Sequence, residues 1–186
     1  MGHGGLAGIA SEPHRKRRAT MAVADFLLEI KGPDLKGESQ DHQFKDSIEI
    51  SSWSWGGTNV SQHGFGSGGG TGKATIGDLM LQKFVDKTSP TLFAKLMSGE
   101  HFQEAILHIR KTAGETPIEY LKITMKRVTV TSLQMGGQGA ANNLIHESFS
   151  LGYEEVKQEY ITQNPDGTKG STVQAGWNLA LNKKAA

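Results

Sequence analysis

The chain has 186 residues, a net charge of +1, 36% hydrophobic residues, 24 glycines and no cysteine. That length suffices for one ordinary domain with a sizeable core, and the glycine content fits a turn-rich β protein. Composition excludes a disulfide framework and a thiolate metal site, and no apolar run approaches the length that spans a membrane.

Residues 1–20 stand apart from the rest. Arg15, Lys16, Arg17 and Arg18 against Glu12 give this leader +3, which leaves −2 for the remainder. The body therefore shows no basic surface for nucleic acid. Leu6, Ala7, Ile9 and Ala10 are too few for a signal-peptide core, and the charges follow them instead of preceding them. The leader is read as a disordered segment ahead of a start at Met21, with a nucleic-acid-binding tail as the sharper alternative. Without a recognisable signal, export needs a non-standard route.

From Met21 onward the pattern is mostly period two. Phe26, Leu28 and Ile30 alternate with Leu27, Glu29 and Lys31. Ile48 and Ile50 lead to Trp53 and Trp55, and the apolar phase flips near Ser51 and Ser52. Two tryptophans at spacing two share one face of a strand. Side-chain mass then falls away: eight of the seventeen residues from Gly56 to Gly72 are glycine. Such a segment buries little apolar surface and loses much backbone freedom on ordering. It is disordered, wrapped around a ligand, or ordered by a neighbouring subunit.

The ligand reading is weak on motif grounds. Gly64-Phe65-Gly66-Ser67-Gly68-Gly69 satisfies the dinucleotide fingerprint literally. That pattern requires an apolar parallel strand before it and a helix after it. Asn59 to His63 make a poor buried strand, and more glycine follows. The phosphate-loop pattern fails at Ser67 and at Ala74 on either side of Gly72-Lys73.

One helix is expected next. Ser89 can cap it, Pro90 suits its first position and Gly99 suits its end, while Leu92, Phe93, Leu96 and Met97 share a face for core packing. The seven histidines are scattered. His101 and His108 are seven apart, which is no metal-ligand spacing, and His108 lies opposite the Leu107/Ile109 face, towards solvent or an interface. Leu121, Ile123 and Met125 alternate cleanly, Val128 and Val130 take the other phase, and Leu133 and Met135 return to the first. Phe149, Leu151 and Tyr153 alternate before Val156 and Tyr160 switch phase. Glu154-Glu155 ahead of Lys157 reads as a solvated turn. Asn164-Pro-Asp-Gly167 is a turn between the last two strands. Val173, Ala175, Trp177, Leu179 and Leu181 close the chain with one more alternation.

Period two in at least five segments argues for antiparallel sheets with one buried face. Repeated phase flips suggest bulges, which let a sheet curl. The expected fold is mainly β: two curled antiparallel sheets forming a small β-barrel with one flanking α-helix. No nucleophile elbow or metal constellation stands out, and no catalytic, cofactor or metal residue is assigned.

These residues also carry a resemblance. The start Met21-Ala-Val-Ala-Asp-Phe, Lys36-Gly-Glu-Ser39, Trp53-Ser-Trp55 and the glycine-rich tract ending in Gly72-Lys73 resemble the haemolysin-coregulated protein (Hcp) family. So do Asp86-Lys-Thr-Ser-Pro90, Ile109-Arg-Lys111, Glu119-Tyr-Leu121, Tyr153 and Gly176-Trp-Asn178. The match runs in order over roughly residues 21–182, and the domain is taken as 21–186. The leader is foreign to the pattern.

The resemblance implies a tube protein of the bacterial type VI secretion system, non-enzymatic, with six copies in a ring and rings stacked into a hollow tube. It implies a contractile sheath, a spike protein and small effectors as partners. Assembly would occur in the bacterial cytoplasm, followed by secretion without a cleavable signal peptide and without stable membrane insertion. The glycine-rich arm (Gly57, His63, Gly64, Phe65, Gly66, Gly68, Gly69, Gly70, Gly72) would be ordered by the adjacent subunit. Lys36, Gly37, Glu38, Ser39 and His42, in a polar loop, would contact the next ring, or form an ordinary solvated loop. Ser54, opposite Trp53 and Trp55, would face the lumen. Two other readings stand beside this one: a phage-like tail-tube protein and a monomeric barrel holding a small ligand in its interior.

Overall fold

The computed structural model describes residues 24–59, 74–113, 116–137, 139, 144–164 and 168–185. The leader, most of the glycine-rich arm and residues 165–167 of the expected turn lie outside them. In chain order the elements are β1 (Ala24–Lys31), β2 (Ile48–Ile50), β3 (Ser52–Ser54), β4 (Gly57–Thr58), β5 (Thr75–Ile76) and β6 (Leu79–Phe84). Helix α1 (Ser89–Ser98) and β7 (Phe102–Ala113) follow. The rest are β8 (Thr116–Gly136), β9 (His146–Gly152), β10 (Glu155–Gln163), β11 (Lys169–Asn178) and β12 (Lys183–Lys184).

All ladders are antiparallel. A large sheet runs β12-β11-β10-β8-β7-β1-β2, and a smaller one runs β3-β6-β9-β8, so the long strand β8 belongs to both. The phase flips at Ser51 and within β8 have structural causes. At Ser51 the chain leaves the large sheet, where Ile50 pairs with Phe26, and enters the smaller one, where Trp53 pairs with Leu81. Ser51 N donates to Gln82 O at 2.8 Å across that corner. In β8, Arg127 adopts a left-handed backbone with φ 52°, and a register shift lies between Val130 and Ser132. Met125, Val128 and Val130 can therefore all be buried although they alternate out of phase. The first half of β8 pairs with β7 and β10, and the second half, from Thr129, pairs with β9.

The core lies between the sheets and is built from Leu28, Ile48, Leu79, Leu81, Phe102, Leu107, Ile109, Ile123, Met125, Phe149 and Leu151. Full burial of each such side chain is worth about 1.5–3 kcal/mol. Phe26 meets Trp53 edge to face at 6.4 Å, which ties β1 to β3.

Four expectations need correction. The sheets do not close into a barrel among the described residues, because β2 and the β11–β12 margin are the two ends of the large sheet and no ladder joins them. Helix α1 does start beside Pro90 and end at Gly99, whose φ is 68°, but Thr88 occupies the N-cap position with no side-chain cap. The Ser89 hydroxyl is instead buried beneath the helix, where it accepts from Lys83 Nζ and donates to Glu147. Only half the expected helical stripe is covered: Leu92 is buried and Leu96 packs on the core, whereas Phe93 is 51% and Met97 72% exposed, because the helix rests on β8 along one narrow side. Finally, the alternation of the last strand does not bury its apolar face. Val156 is buried, but Tyr160, Val173 and Trp177 beyond it are open, and Val173 is 63% exposed. Opposed residues share a face, so Leu121–Tyr160–Val173 and Met125–Val156–Trp177 are rungs of one apolar surface that outruns the smaller sheet.

Candidate functional site

Three surfaces carry the residues singled out by the sequence. The first is the outward face of the smaller sheet. Trp53 and Trp55 pack against the core, so Ser52 and Ser54 point the other way and are exposed. Pairing places Ser52, Gln82, Ser148 and Gln134 on one rung and Ser54, Met80, Ser150 and Ser132 on the next. Ser52 Oγ donates to Gln82 Oε1 at 2.9 Å, and Ser132 Oγ donates to Ser150 Oγ at 2.9 Å. The margins are Phe84 against His146 at one end and Asp78 at the other, where Asp78 accepts from Thr131 Oγ1 at 2.6 Å.

The second surface is the base of the glycine-rich arm. Gly57 pairs with Ile76, and a Cβ on Gly57 would lie 2.6 Å from Ile76 Cδ1 and 2.9 Å from Thr75 O, so this close approach requires glycine. Trp55 Nε1 donates to Tyr153 Oη at 2.5 Å, and that hydroxyl donates to Gly77 O at 3.0 Å. Burial pushes the Tyr153 hydroxyl above its usual value, against the opposing Trp55 hydrogen bond, with the nearby Asp78 charge adding to the rise. Beside this clasp lies a cavity of about 580 Å³ lined by Trp55, Ile76, Val156, Trp177 and Leu179. His63, Gly64, Phe65, Gly66, Gly68, Gly69, Gly70 and Gly72 lie outside the described residues.

The third is the 36–47 loop, which lies folded across the outward face of the large sheet. Gly37 N donates to Asp46 O at 2.7 Å, and a Cβ there would sit 2.3 Å from Ser47 O. Gly37 and Ser39 are buried, while Lys36, Glu38 and His42 remain exposed. Glu38 Oε1 accepts from Lys87 N at 3.1 Å. Arg110 grips Asp41 with both terminal nitrogens, at 3.1 and 2.6 Å, and that hydrogen bonding holds the Asp41 carboxyl below its usual value. The Phe44 ring packs against His108 with centroids 4.5 Å apart and planes tilted by 46°, and lies 5.0 Å from the Arg110 guanidinium. His108, expected towards solvent or an interface, is thus covered and only 8% exposed, with Nδ1 2.6 Å from Glu119 Oε1. The His108 hydrogen bond keeps Glu119 below the usual carboxylate range. Glu154 and Glu155, read as a solvated turn, pair with Arg127 and Lys126, each at 2.8 Å.

A buried charge cluster escaped sequence reasoning. Lys83 Nζ lies 2.5 Å from Glu147 Oε2 and 2.8 Å from Asp86 Oδ1, with Lys83 and Glu147 fully buried. Burial pushes Asp86 up, but hydrogen bonds from Lys83 and Thr88 outweigh it and leave the carboxyl below its usual value. The signal was present in phase: Lys83 continues the inward series Leu79, Leu81, and Glu147 continues Phe149, Leu151. Among the described residues no group of three or more His, Cys, Asp or Glu side chains is placed to hold a metal, and no helix is long and apolar enough to cross a membrane.

Two antiparallel sheets joined through one long strand, with one helix at the side, form the fold of type six secretion proteins. One solved structure described as a type six secretion system protein superposes with a TM-score of 0.81, at 28% identity over 88% of this chain and 100% of that one. Hcp1 from Salmonella typhimurium superposes with a TM-score of 0.70, at 34% identity over 89% of this chain and all of its own. In sequence, protein hcp1 of Pseudomonas aeruginosa is 41% identical over 166 residues, covering 89% of this chain and 100% of that protein. The family model described as type VI secretion system effector, Hcp, matches residues 27–160. The chain belongs to the Hcp family and is a tube protein of the type VI secretion system.

Proposed function

We propose that copies of this chain close into a hexameric ring, that rings stack into a tube, and that the tube acts structurally and not as an enzyme. The observation that carries the ring is the uncovered apolar surface of Tyr160, Val173 and Trp177 beside the base of the glycine-rich arm. Monomeric proteins rarely leave so continuous an apolar surface in water. In a ring one patch meets a different patch on the next copy, and the rotation closes. The arm, from Gly57 through Gly72, is the counterpart offered to that surface. Its small side chains let two backbones approach closely.

The Ser54 face is assigned to the channel wall, and the exposed Lys36, Glu38 and His42 to contacts with the next ring. Gly37 and Ser39 serve that contact indirectly, by holding the loop in shape. A contractile sheath, a spike protein and small effectors in the lumen complete the reading. So does assembly in the cytoplasm followed by export without a cleavable signal. Light scattering on a size-exclusion column tests it. A mass near six times 20.1 kDa is expected, and a mass near 20.1 kDa overturns the ring.

A further inference from the structure

The outward faces of the two sheets are chemically opposite. The large sheet carries ion pairs, Lys31–Glu104 at 3.7 Å and Lys126–Glu155 at 2.8 Å on one rung and Lys122–Glu159 at 2.8 Å on another. The smaller sheet carries none on its two central rungs, where all eight side chains are serine, glutamine or methionine. Asp78 and His146 enter only at its margins. Within this neutral field Met80 is the one apolar side chain, and it is 58% exposed. Two grooves of about 380 and 420 Å³ run on either side of it, sharing Ser54, Met80 and Ser150 in their walls.

We propose that Met80 is the apolar contact through which this wall holds a passenger polypeptide, and that the wall admits passengers by their lack of charge. This rests on the reading of the face as the channel wall. A carboxylate or ammonium brought against these two rungs sheds water and meets dipoles with no counter-charge on either rung. The nearest charge is Asp78, in the wall of the second groove and already hydrogen-bonded by Thr131, so a charged segment is disfavoured. A neutral segment with hydroxyl and amide groups finds serine hydroxyls that both donate and accept. An apolar side chain on it seats against the Met80 thioether. Methionine is flexible and polarisable, so one contact adapts to differently shaped passengers.

The probe is a dye-labelled peptide of serine, glutamine and leucine, with matched peptides in which the glutamines are replaced by lysine or by glutamate. Binding is read by fluorescence anisotropy on the full chain as wild type, Met80→Ser and Met80→Leu, and each sample is weighed by light scattering. The neutral peptide is expected to bind wild type and Met80→Leu alike and to bind Met80→Ser about tenfold more weakly. Both charged peptides are expected to bind wild type at least about tenfold more weakly than the neutral one. Equal binding to Met80→Ser, charged peptides binding as well as neutral ones, or no binding of the neutral peptide each overturns the proposal. Loss of the Met80 effect on a sample of ring mass overturns this contact and leaves the ring intact. A Met80 effect on a sample of single-chain mass supports the contact and overturns the ring.

Discussion

Lys83 sits where a leucine would fit the pattern, and its ammonium is shared between Glu147, Asp86 and the Ser89 hydroxyl. Removing one partner of such a pair leaves the other buried and uncompensated, at about 3–5 kcal/mol. Lys83→Met is therefore expected to lower the unfolding free energy by that order, and Lys83→Met with Glu147→Leu to recover much of it. Urea unfolding of both variants checks this, and a single variant as stable as wild type contradicts it. The Arg110–Asp41 pair makes a second residue-scale prediction. Asp41 and Glu119 have depressed folded-state values, set by hydrogen bonds from Arg110 and His108. Such groups contribute stability above their unfolded values and lose it as pH falls through the folded ones, so stability declines below about pH 4. Asp41→Asn should flatten part of that decline, which urea midpoints between about pH 6 and about pH 3 would register. Phase marked Lys83 and Glu147 as inward, but neither pairing was readable beforehand, because Asp41 and Arg110 are 69 residues apart and Lys83 and Glu147 are 64 apart. Only the ladders and the loop path bring them together.

At the scale of elements, local rules did well wherever local physics decides. Gly99 ends α1 in a left-handed conformation, donating its N–H to Lys95 O at 3.0 Å. Gly99→Ala forces a Cβ into that conformation and should cost about 1 kcal/mol in thermal or urea unfolding. The phase flips at Ser51, Arg127 and Thr131 were legible as changes of alternation, and each marks a change of sheet, a left-handed residue or a bulge. What alternation could not show was the handover itself, that a flip at Ser51 moves the chain to a different sheet. The Trp55–Tyr153–Gly77 clasp joins three elements at the arm's root. Tyr153→Phe removes two hydrogen bonds worth about 1 kcal/mol each, too little to unfold the domain. Loosening the arm's base is expected to shift the protein towards lower mass at a given concentration, while circular dichroism stays unchanged. An unaltered mass distribution would separate the clasp from assembly.

Across the whole molecule, the exposed apolar surface at β10–β11 decides how the chain lives in solution. Val173→Asp replaces a side chain that is 63% exposed in the single chain, so the stability of the isolated fold should move by less than about 0.5 kcal/mol. The same change puts a charge into the proposed subunit contact, and the expected result is a folded product of single-chain mass. A ring of full mass from Val173→Asp would remove this surface from the interface. Sequence period had marked this strand as one with a buried face, and the apolar residues were identified correctly. Whether a face is buried depends on what lies opposite, and the smaller sheet stops short of Val173 and Trp177. The strand positions, the helix with its glycine stop, and the family were present in the order of residues, because alternation, capping and motif spacing are local properties of a chain. The open two-sheet roll in place of a barrel, the covering of His108 by Phe44, the buried Lys83–Glu147 pair and the neutral face around Met80 were decided only in three dimensions. Each depends on which distant segments share a rung or a face, and residue type and spacing alone do not carry that pairing.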